Sequence, residues 1–452
     1  MISMGSKSMV NNVRSNSRQR NVHDLKDRLR KKAACKQGPK KICLTMIVKN
    51  ECKNMLRILD SVKDIIDMVS IVDTGSTDNT EEVIINWGKE HDIPTTVHHE
   101  PFQNFAHNRT HSVTAAKQTY PEADYFLLSD ADFVWEVNRG GTFDKRLLVD
   151  HKYLVEQYNK ALSYWNIRLL SSKVEYSCIG VTHEYWIEAK TQSGYCGEIR
   201  TSKIKTLAID DKEDGGCKSD KFERDEKLLR AGLADDSTPD HLETRYKFYL
   251  GQTLKDMGRY EESIEWYIKR TLDRGWVEEV YYAKFQIGFN YEQMGWKKKH
   301  AVNLTGKAEK TPEEIDFIAK WNPNNIGPAD LMAQSTKHFT DASVNYMAAY
   351  NYRKTRAESL YYLTRMYRML GMNDMAFDLA MIGKEIKYPE DDTLFIERGC
   401  YYYLFDFEIS IVAFYIKDKK DVGRECAASL LERDDIPQWV KETVEKNSHH
   451  YI

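Results

Sequence analysis

Hydrophobic and polar positions follow two periods in the first half of the chain and one in the second. Ile42 to Val48 reads as a mainly apolar strand. Met55, Leu59, Val62 and Ile66 fall on one helical face, and Val69 to Val72 predict a second strand ending in Asp73. A turn at Thr74 to Thr80 feeds a helix whose inner face carries Val83, Ile84 and Trp87. Thr95 to His98 predicts a third strand, Ala106 to Lys117 a helix, and Tyr125 to Ser129 a fourth strand. This β-α-β-α-β-α-β order implies right-handed crossovers and a parallel sheet covered on both faces. Ser163 to Leu169, Gly180 to Glu188 and Ile204 to Ile209 predict further strands in a less regular region.

Beyond about Lys221 the strand pattern ends and helical periodicity takes over. Leu250 to Gly258 matches Ile287 to Gly295, with Gly251 and Gly258 recurring 37 positions later as Gly288 and Gly295. Leu363 to Gly371 is a third copy. A period in the mid-thirties, with a small residue inside the first helix and Gly at the turn, is the tetratricopeptide pattern. Gly258, Gly295 and Gly371 are thus expected to end helices with positive φ. Residues 302–340 read as an insertion, with Thr311-Pro312-Glu313-Glu314 opening a helix inside it. The pattern predicts an α/β domain over 41–225 and an all-α repeat domain over 226–440. A basic arm over 1–40, poor in apolar residues, precedes them and a tail over 441–452 follows.

Composition narrows the class. With 452 residues, 41% hydrophobic and 30% charged, the chain is that of a globular protein with two or three domains. A net charge of -3 gives no global reason to expect nucleic acid as partner. Arg28 to Lys32 offers either a contact for an anionic surface, a nuclear address, or a merely solubilising tail. The 8 cysteines include no Cys-x-x-Cys pair, which argues against a zinc ribbon or disulfide framework and suits a reducing, cytoplasmic setting. No apolar run is long enough for a transmembrane helix, and the N-terminus lacks the apolar core of a signal peptide.

The candidate chemistry lies in acids at strand ends. Asp130 and Asp132 follow the Tyr125 run with only Ala131 between them, at the carboxyl end of a strand, where open α/β sheets bind ligands. Together with Val48-Lys49-Asn50-Glu51 and Val72 to Thr80, this Asp-x-Asp resembles the nucleotide-sugar-binding half of family 2 glycosyltransferases. The resemblance covers roughly residues 42–225. It implies a GT-A fold, Rossmann-like with a mostly parallel sheet, and an enzyme that inverts the anomeric centre. Some members carry helical repeats behind the catalytic domain.

The resemblance also implies roles. Asp73 would accept from the base or ribose of a UDP-sugar, and Glu51, Asp78, Arg109 and Asp130 would line the nucleotide pocket. Mn²⁺ or Mg²⁺ would be held by Asp130, Asp132 and a third ligand. Relatives often place a His there, and this chain offers Asp211 instead. Asp78 with Glu81 also fits a helix capping box, and Glu51 a favourable helix-dipole charge. Glu184, in Gly180-Val181-Thr182-His183-Glu184-Tyr185-Trp186, is the candidate base, with His183 to orient it or reach the metal; a polar strand end is the bland alternative. Two glycines amid charges over 210–224 read as a mobile loop whose Lys218, Lys221 and Arg224 are candidates for the diphosphate, or as a charged linker. Trp135, Tyr185 and Trp186 offer either sugar-stacking faces or core.

The expected activity is metal-dependent transfer of a sugar from a nucleotide sugar to a protein, peptide or glycan acceptor, with the repeats holding the acceptor. The alternatives are a repeat-based interaction protein with a degenerate nucleotide-binding domain, and a nucleotidyltransferase.

Overall fold

The computed structural model describes residues 38–159, 163–188, 198–214 and 221–451. Most of the basic arm, residues 1–37, lies outside the described residues, as does Lys218. The chain divides into two compact units. The first is residues 1–159 with 165–218; the second is 160–164 with 219–452.

The first unit is a mixed α/β sheet. Strands β1 (Ile42–Val48), β2 (Met68–Asp73), β3 (Thr95–His99) and β4 (Tyr125–Leu128) alternate with helices α1 (Cys52–Val62), α2 (Thr80–Glu90) and α3 (Phe105–Thr119). β5 (Phe133–Val137), β6 (Lys152–Tyr158), β7 (Ser163–Ser171) and β10 (Thr201–Asp211) extend the sheet to the order β3-β2-β1-β4-β7-β6-β10-β5. β1 pairs parallel with β2 and β4, and β2 with β3, as the crossover pattern requires. β7 runs antiparallel to β4, and β5 antiparallel to β10, so the sheet is mixed and mostly parallel. β5, β6 and β8 (Tyr176–Ile179) were not legible as strands. β5 follows Asp132 after no helix, and it pairs with β10, far along the chain.

Both phases of β1 are apolar apart from Thr45, whose hydroxyl donates to Ser112 O at 3.1 Å, because each face has its own core. Ile42, Leu44, Met46 and Val48 pack with Met55, Ile58, Leu59 and Val62 of α1 on one face. Cys43 lies on the other, with Phe126, Leu128, Val113 and Ala116. Alternate side chains of a strand point to opposite faces, so a strand covered on both sides has no polar phase.

The predicted strand over 180–188 is instead a hairpin: β8 pairs antiparallel with β9 (Tyr185–Glu188), with residues 180–184 as the turn. Gly180 at φ 115° and His183 at φ 50° are left-handed, which an extended strand excludes. Trp135 and Trp186 are buried in the sheet cores, so neither is a sugar platform. Trp135 donates its indole N–H to Ser129 Oγ at 3.0 Å.

The second unit is helical among its described residues. It contains α4 (Lys221–Ala234), α5 (Asp240–Asp256), α6 (Tyr260–Leu272), α7 (Val277–Thr305), α8 (Pro312–Trp321), α9 (Pro328–Tyr352), α10 (Glu358–Met369), α11 (Asn373–Gly383), α12 (Gly399–Tyr402), α13 (Leu404–Val412), α14 (Lys420–Leu431) and α15 (Gln438–Ser448). Gly258 and Gly371 adopt φ of 73° and 79° and end helices as predicted. Gly295 does not. α7 runs through it, because Trp296-Lys297-Lys298-Lys299 continues in helix-compatible residues with no breaker. A Cβ at Gly295 would lie 2.8 Å from the Phe339 ring, and one at Gly288 2.7 Å from the Tyr346 ring. These glycines therefore set how closely α7 and α9 pack. The expected insertion is consequently a lengthened helical hairpin: α7 and α9 reach past the repeat length, and α8 sits in their connection, opened by a Thr311–Glu314 capping box. Within the expected tail over 441–452, α15 covers residues up to Ser448 and Tyr451 is buried with its hydroxyl donating to Ser410 O at 2.6 Å; Ile452 lies outside the described residues.

Candidate functional site

The carboxyl ends of β1, β2 and β4 lie side by side, and each delivers part of the predicted motif. Val48 is in register with Asp73 at the end of β2. Asp73 is buried, and its Oδ1 accepts from the backbone N–H of Gly75 (2.8 Å) and Ser76 (2.6 Å). Gly75 sits at φ 112°, a backbone conformation that glycine takes without a Cβ penalty. Asn50, also left-handed at φ 56°, locks this turn to the first motif. Its Oδ1 accepts from Thr77 N at 2.7 Å, and its own N–H donates to Ser76 Oγ at 2.9 Å.

Asp78 is a cap shared by two helices. Its Oδ1 accepts from Thr80 N (3.1 Å) and the Thr80 hydroxyl (2.5 Å), and its Oδ2 from Cys52 N (3.3 Å) at the start of α1. Burial opposes its charge, but these hydrogen bonds outweigh it and bring the carboxyl down to about 2. The predicted Asp78–Glu81 capping box does not form: Asp78 accepts from Thr80 N rather than Glu81 N, and Glu81 pairs with His99 at 3.4 Å. Glu51 begins α1, accepting from Asn54 Nδ2 at 2.9 Å, and makes no side-chain cap of its own helix.

The two acids of Asp-x-Asp stand in opposite electrostatic situations. Asp130 Oδ1 accepts from Arg109 Nη2 at 2.7 Å and its Oδ2 from Arg168 Nη1 at 3.4 Å. Burial raises its pKa, yet the two guanidiniums beside it more than compensate and hold it below the usual carboxylate range. No ion pair holds Asp132 among the described residues. Burial, then the neighbouring charges of Asp130 and Asp211, push its pKa up to about 6. Asp211 lies across the β10/β5 ladder, where Lys212 N donates to Asp132 O at 3.1 Å. Its carboxylate accepts from Gln157 Nε2 at 2.8 Å and Glu213 N at 3.0 Å, and its pKa is raised, chiefly by burial.

A single chain of hydrogen bonds connects these groups. Arg109 also donates from Nε to Glu184 Oε1 at 2.5 Å, and Arg168 donates from Nη2 to Gln157 Oε1 at 2.6 Å. The order is Glu184–Arg109–Asp130–Arg168–Gln157–Asp211. Arg109 therefore joins the predicted base to the Asp-x-Asp motif, through a residue whose burial only such pairing sustains. Glu184 lies in the tight 180–184 turn, where a Cβ added at Gly180 would lie only 3.3 Å from Glu184 Cα. His183 occupies the tip of that turn. Sequence reasoning missed Arg168, Gln157 and Arg57. The signal for Arg168 is weak: an arginine flanked by Ile167, Leu169 and Leu170 in a strand that also holds Ser163 and Asn166, buried here with its guanidinium 4.6 Å over the Phe133 ring. Lys221 and Arg224 stand on α4, in the second unit, where Arg224 lies 3.5 Å from Asp225.

As for a metal, no group of three or more His, Cys, Asp or Glu side chains among the described residues is arranged to hold one. Among the described residues the donor set offers Asp132, which no ion pair holds, and beside it Asp211, which accepts only from Gln157 and the Glu213 backbone. A cation at Asp132 would relieve the repulsion that raises its pKa.

Residues 43–140 match the family model described as Glycosyl transferase family 2. No curated protein sequence matches the chain. Solved structures with detectable likeness include S. aureus TarS 1-349, at 13% identity and a TM-score of 0.27 over 68% of this chain and 90% of that one. The same fragment in complex with UDP (12%) and with UDP-GlcNAc (13%) matches with the same TM-score and coverage. A likeness that loose extends no property of TarS to this chain.

Proposed function

We propose that this chain, an enzyme whose residues 43–140 form a family 2 glycosyltransferase domain, moves a sugar with inversion from a nucleotide-sugar donor, a UDP-sugar, to a protein, peptide or glycan acceptor. The observation that carries the reading is the pairing of unlike acids at one sheet edge. Asp130 is neutralised by two arginines, and Asp132 is left as uncompensated charge beside Asp211. That arrangement is costly for a fold alone and useful for a site that receives a cation with a diphosphate.

In this reading Asp73, Asn50 and the Gly75 turn receive the nucleoside, the glycine allowing close backbone approach. Asp132 would hold Mn²⁺ or Mg²⁺, with Asp211 beside it and the remaining positions left to diphosphate oxygens and water. The cation would supply charge neutralisation on the departing nucleoside diphosphate. The chain's own residues do the rest. Arg109 orients the Glu184 side chain, which accepts the proton of the acceptor hydroxyl. As that oxygen bonds to the anomeric carbon from the face opposite the diphosphate, the anomeric carbon–oxygen bond to the diphosphate breaks and the diphosphate leaves with the electron pair. Positioning and preorganised charge supply most of the rate. The second unit is the module for acceptor or partner. No helix among the described residues is long and apolar enough to cross a membrane. The test is calorimetry with UDP. Binding should be tighter with Mn²⁺ than with EDTA, and Asp132→Ala should remove the difference; equal affinity in both conditions refutes the cation role.

A further inference from the structure

We propose that Arg57 is the guanidinium that receives the donor's diphosphate, and that the Asp214 carboxylate occupies it until the donor arrives. This rests on the nucleotide-sugar reading above. Arg57 lies on α1, the helix that opens at the Glu51 motif and packs on the strand that follows Asp132, where Trp135 N donates to Ser61 Oγ at 3.1 Å. Asp132 and Glu51 are close enough to act on it electrostatically.

The geometry is that of a fork holding a stand-in. Arg57 Nη1 donates to Asp214 Oδ2 at 2.7 Å and Nη2 to Asp214 Oδ1 at 2.6 Å. Carboxylate and phosphate present the same pair of oxygens to such a fork. Arg57 Nε is buried and has no hydrogen-bond partner, so one donor of the guanidinium is left over by this partner. The pair is open to water, the two side chains being 33% and 47% exposed, so its mutual attraction is weak and a more highly charged anion displaces the carboxylate.

Charge accounting points to the same residue. A diphosphate entering beside Asp130, Asp132, Asp211 and Glu51 needs cations that are not already committed. Arg109 is held between Asp130 and Glu184, Arg168 between Asp130 and Gln157, and Lys212 bonds Asp210. Arg57 is the arginine of this set whose partner sits at the solvent edge. Exchange at Arg57 also makes Asp214 a competitor of the donor, so deleting its charge should help binding. A salt bridge that merely braces α1 makes no such prediction.

The experiment is calorimetric titration of the full chain with UDP and Mn²⁺, for the wild type, Arg57→Ala, Arg57→Lys and Asp214→Asn. Arg57→Ala should weaken UDP about tenfold or more, and Arg57→Lys should recover only part, because a point charge replaces the fork. Asp214→Asn should bind UDP severalfold more tightly than the wild type. Unchanged or weaker binding by Asp214→Asn, or wild-type affinity in Arg57→Ala, overturns the proposal while leaving the nucleotide-sugar reading intact. Asp214→Asn decides the matter even where Arg57→Ala does not fold. A wild-type chain that binds no nucleoside diphosphate overturns both.

Discussion

Replacing Asp132 by Asn should make the protein more stable and less able to bind its donor, and the gain should depend on pH. The carboxyl is raised from an ordinary value of 3.8 to about 6 by burial and by the charges of Asp130 and Asp211. The folded state therefore holds this proton more tightly than the unfolded chain does. Between pH 3.8 and 6 the unfolded state ionises first, so the stability of the wild type falls as pH rises through this window and is level above it. Each pKa unit is worth about 1.4 kcal/mol, which puts the full penalty at about 3 kcal/mol, and solvent screening of a partly exposed side chain lowers it to about 1–3 kcal/mol. Asn keeps the shape and never ionises. In EDTA at pH 8, Asp132→Asn should unfold at a temperature higher by about 2–10 °C in the transition of the first unit. At pH 5, where the penalty is only about half developed, the gain should be roughly half as large. Differential scanning calorimetry at the two pH values measures both. A variant less stable than the wild type at pH 8, or a gain that ignores pH, would refute the claim that Asp132 is an acid strained by its neighbours.

Other outcomes follow from the same structure. Glu184→Gln can still accept from Arg109 but cannot take a proton, so turnover should fall by about a hundredfold or more with UDP affinity nearly unchanged; near wild-type transfer measured by UDP release would move the base elsewhere, with Asp214 and Glu188 the next acids to test. Gly288→Ala places a methyl group 2.7 Å from the buried Tyr346 ring, which should cost about 1–3 kcal/mol in chemical denaturation and leave UDP binding intact; a neutral effect would mean that α7 and α9 separate easily.

The sequence by itself determined the elements whose local pattern and tertiary role coincide. β1, β2 and β4 and the helices between them were legible because a strand covered on both faces has no sustained polar phase and its helices have one apolar stripe; β3, a half-buried edge strand of Thr, Val and His, was legible only from its place in the β-α-β order. That Asp73, Asp130 and Asp132 stand at the same edge of the sheet was legible because strand ends in a parallel sheet converge there. Gly258 and Gly371 were legible as turns. Gly295 shows where such reading stops, since the same residue type serves as a helix end or as a gap for a facing ring, and only the position of Phe339 decides between them. The site divides along the same line. Spacing along the chain cannot tell Asp130 from Asp132, two acids of one type with one residue between them. Which is neutralised depends on Arg109 from α3 and Arg168 from β7, both distant in sequence. Arg168 and Gln157 were invisible for that reason, and so was the turn that carries Glu184 to Arg109. Charge partners are fixed by packing between elements, and a local hydrophobic period carries no information about them.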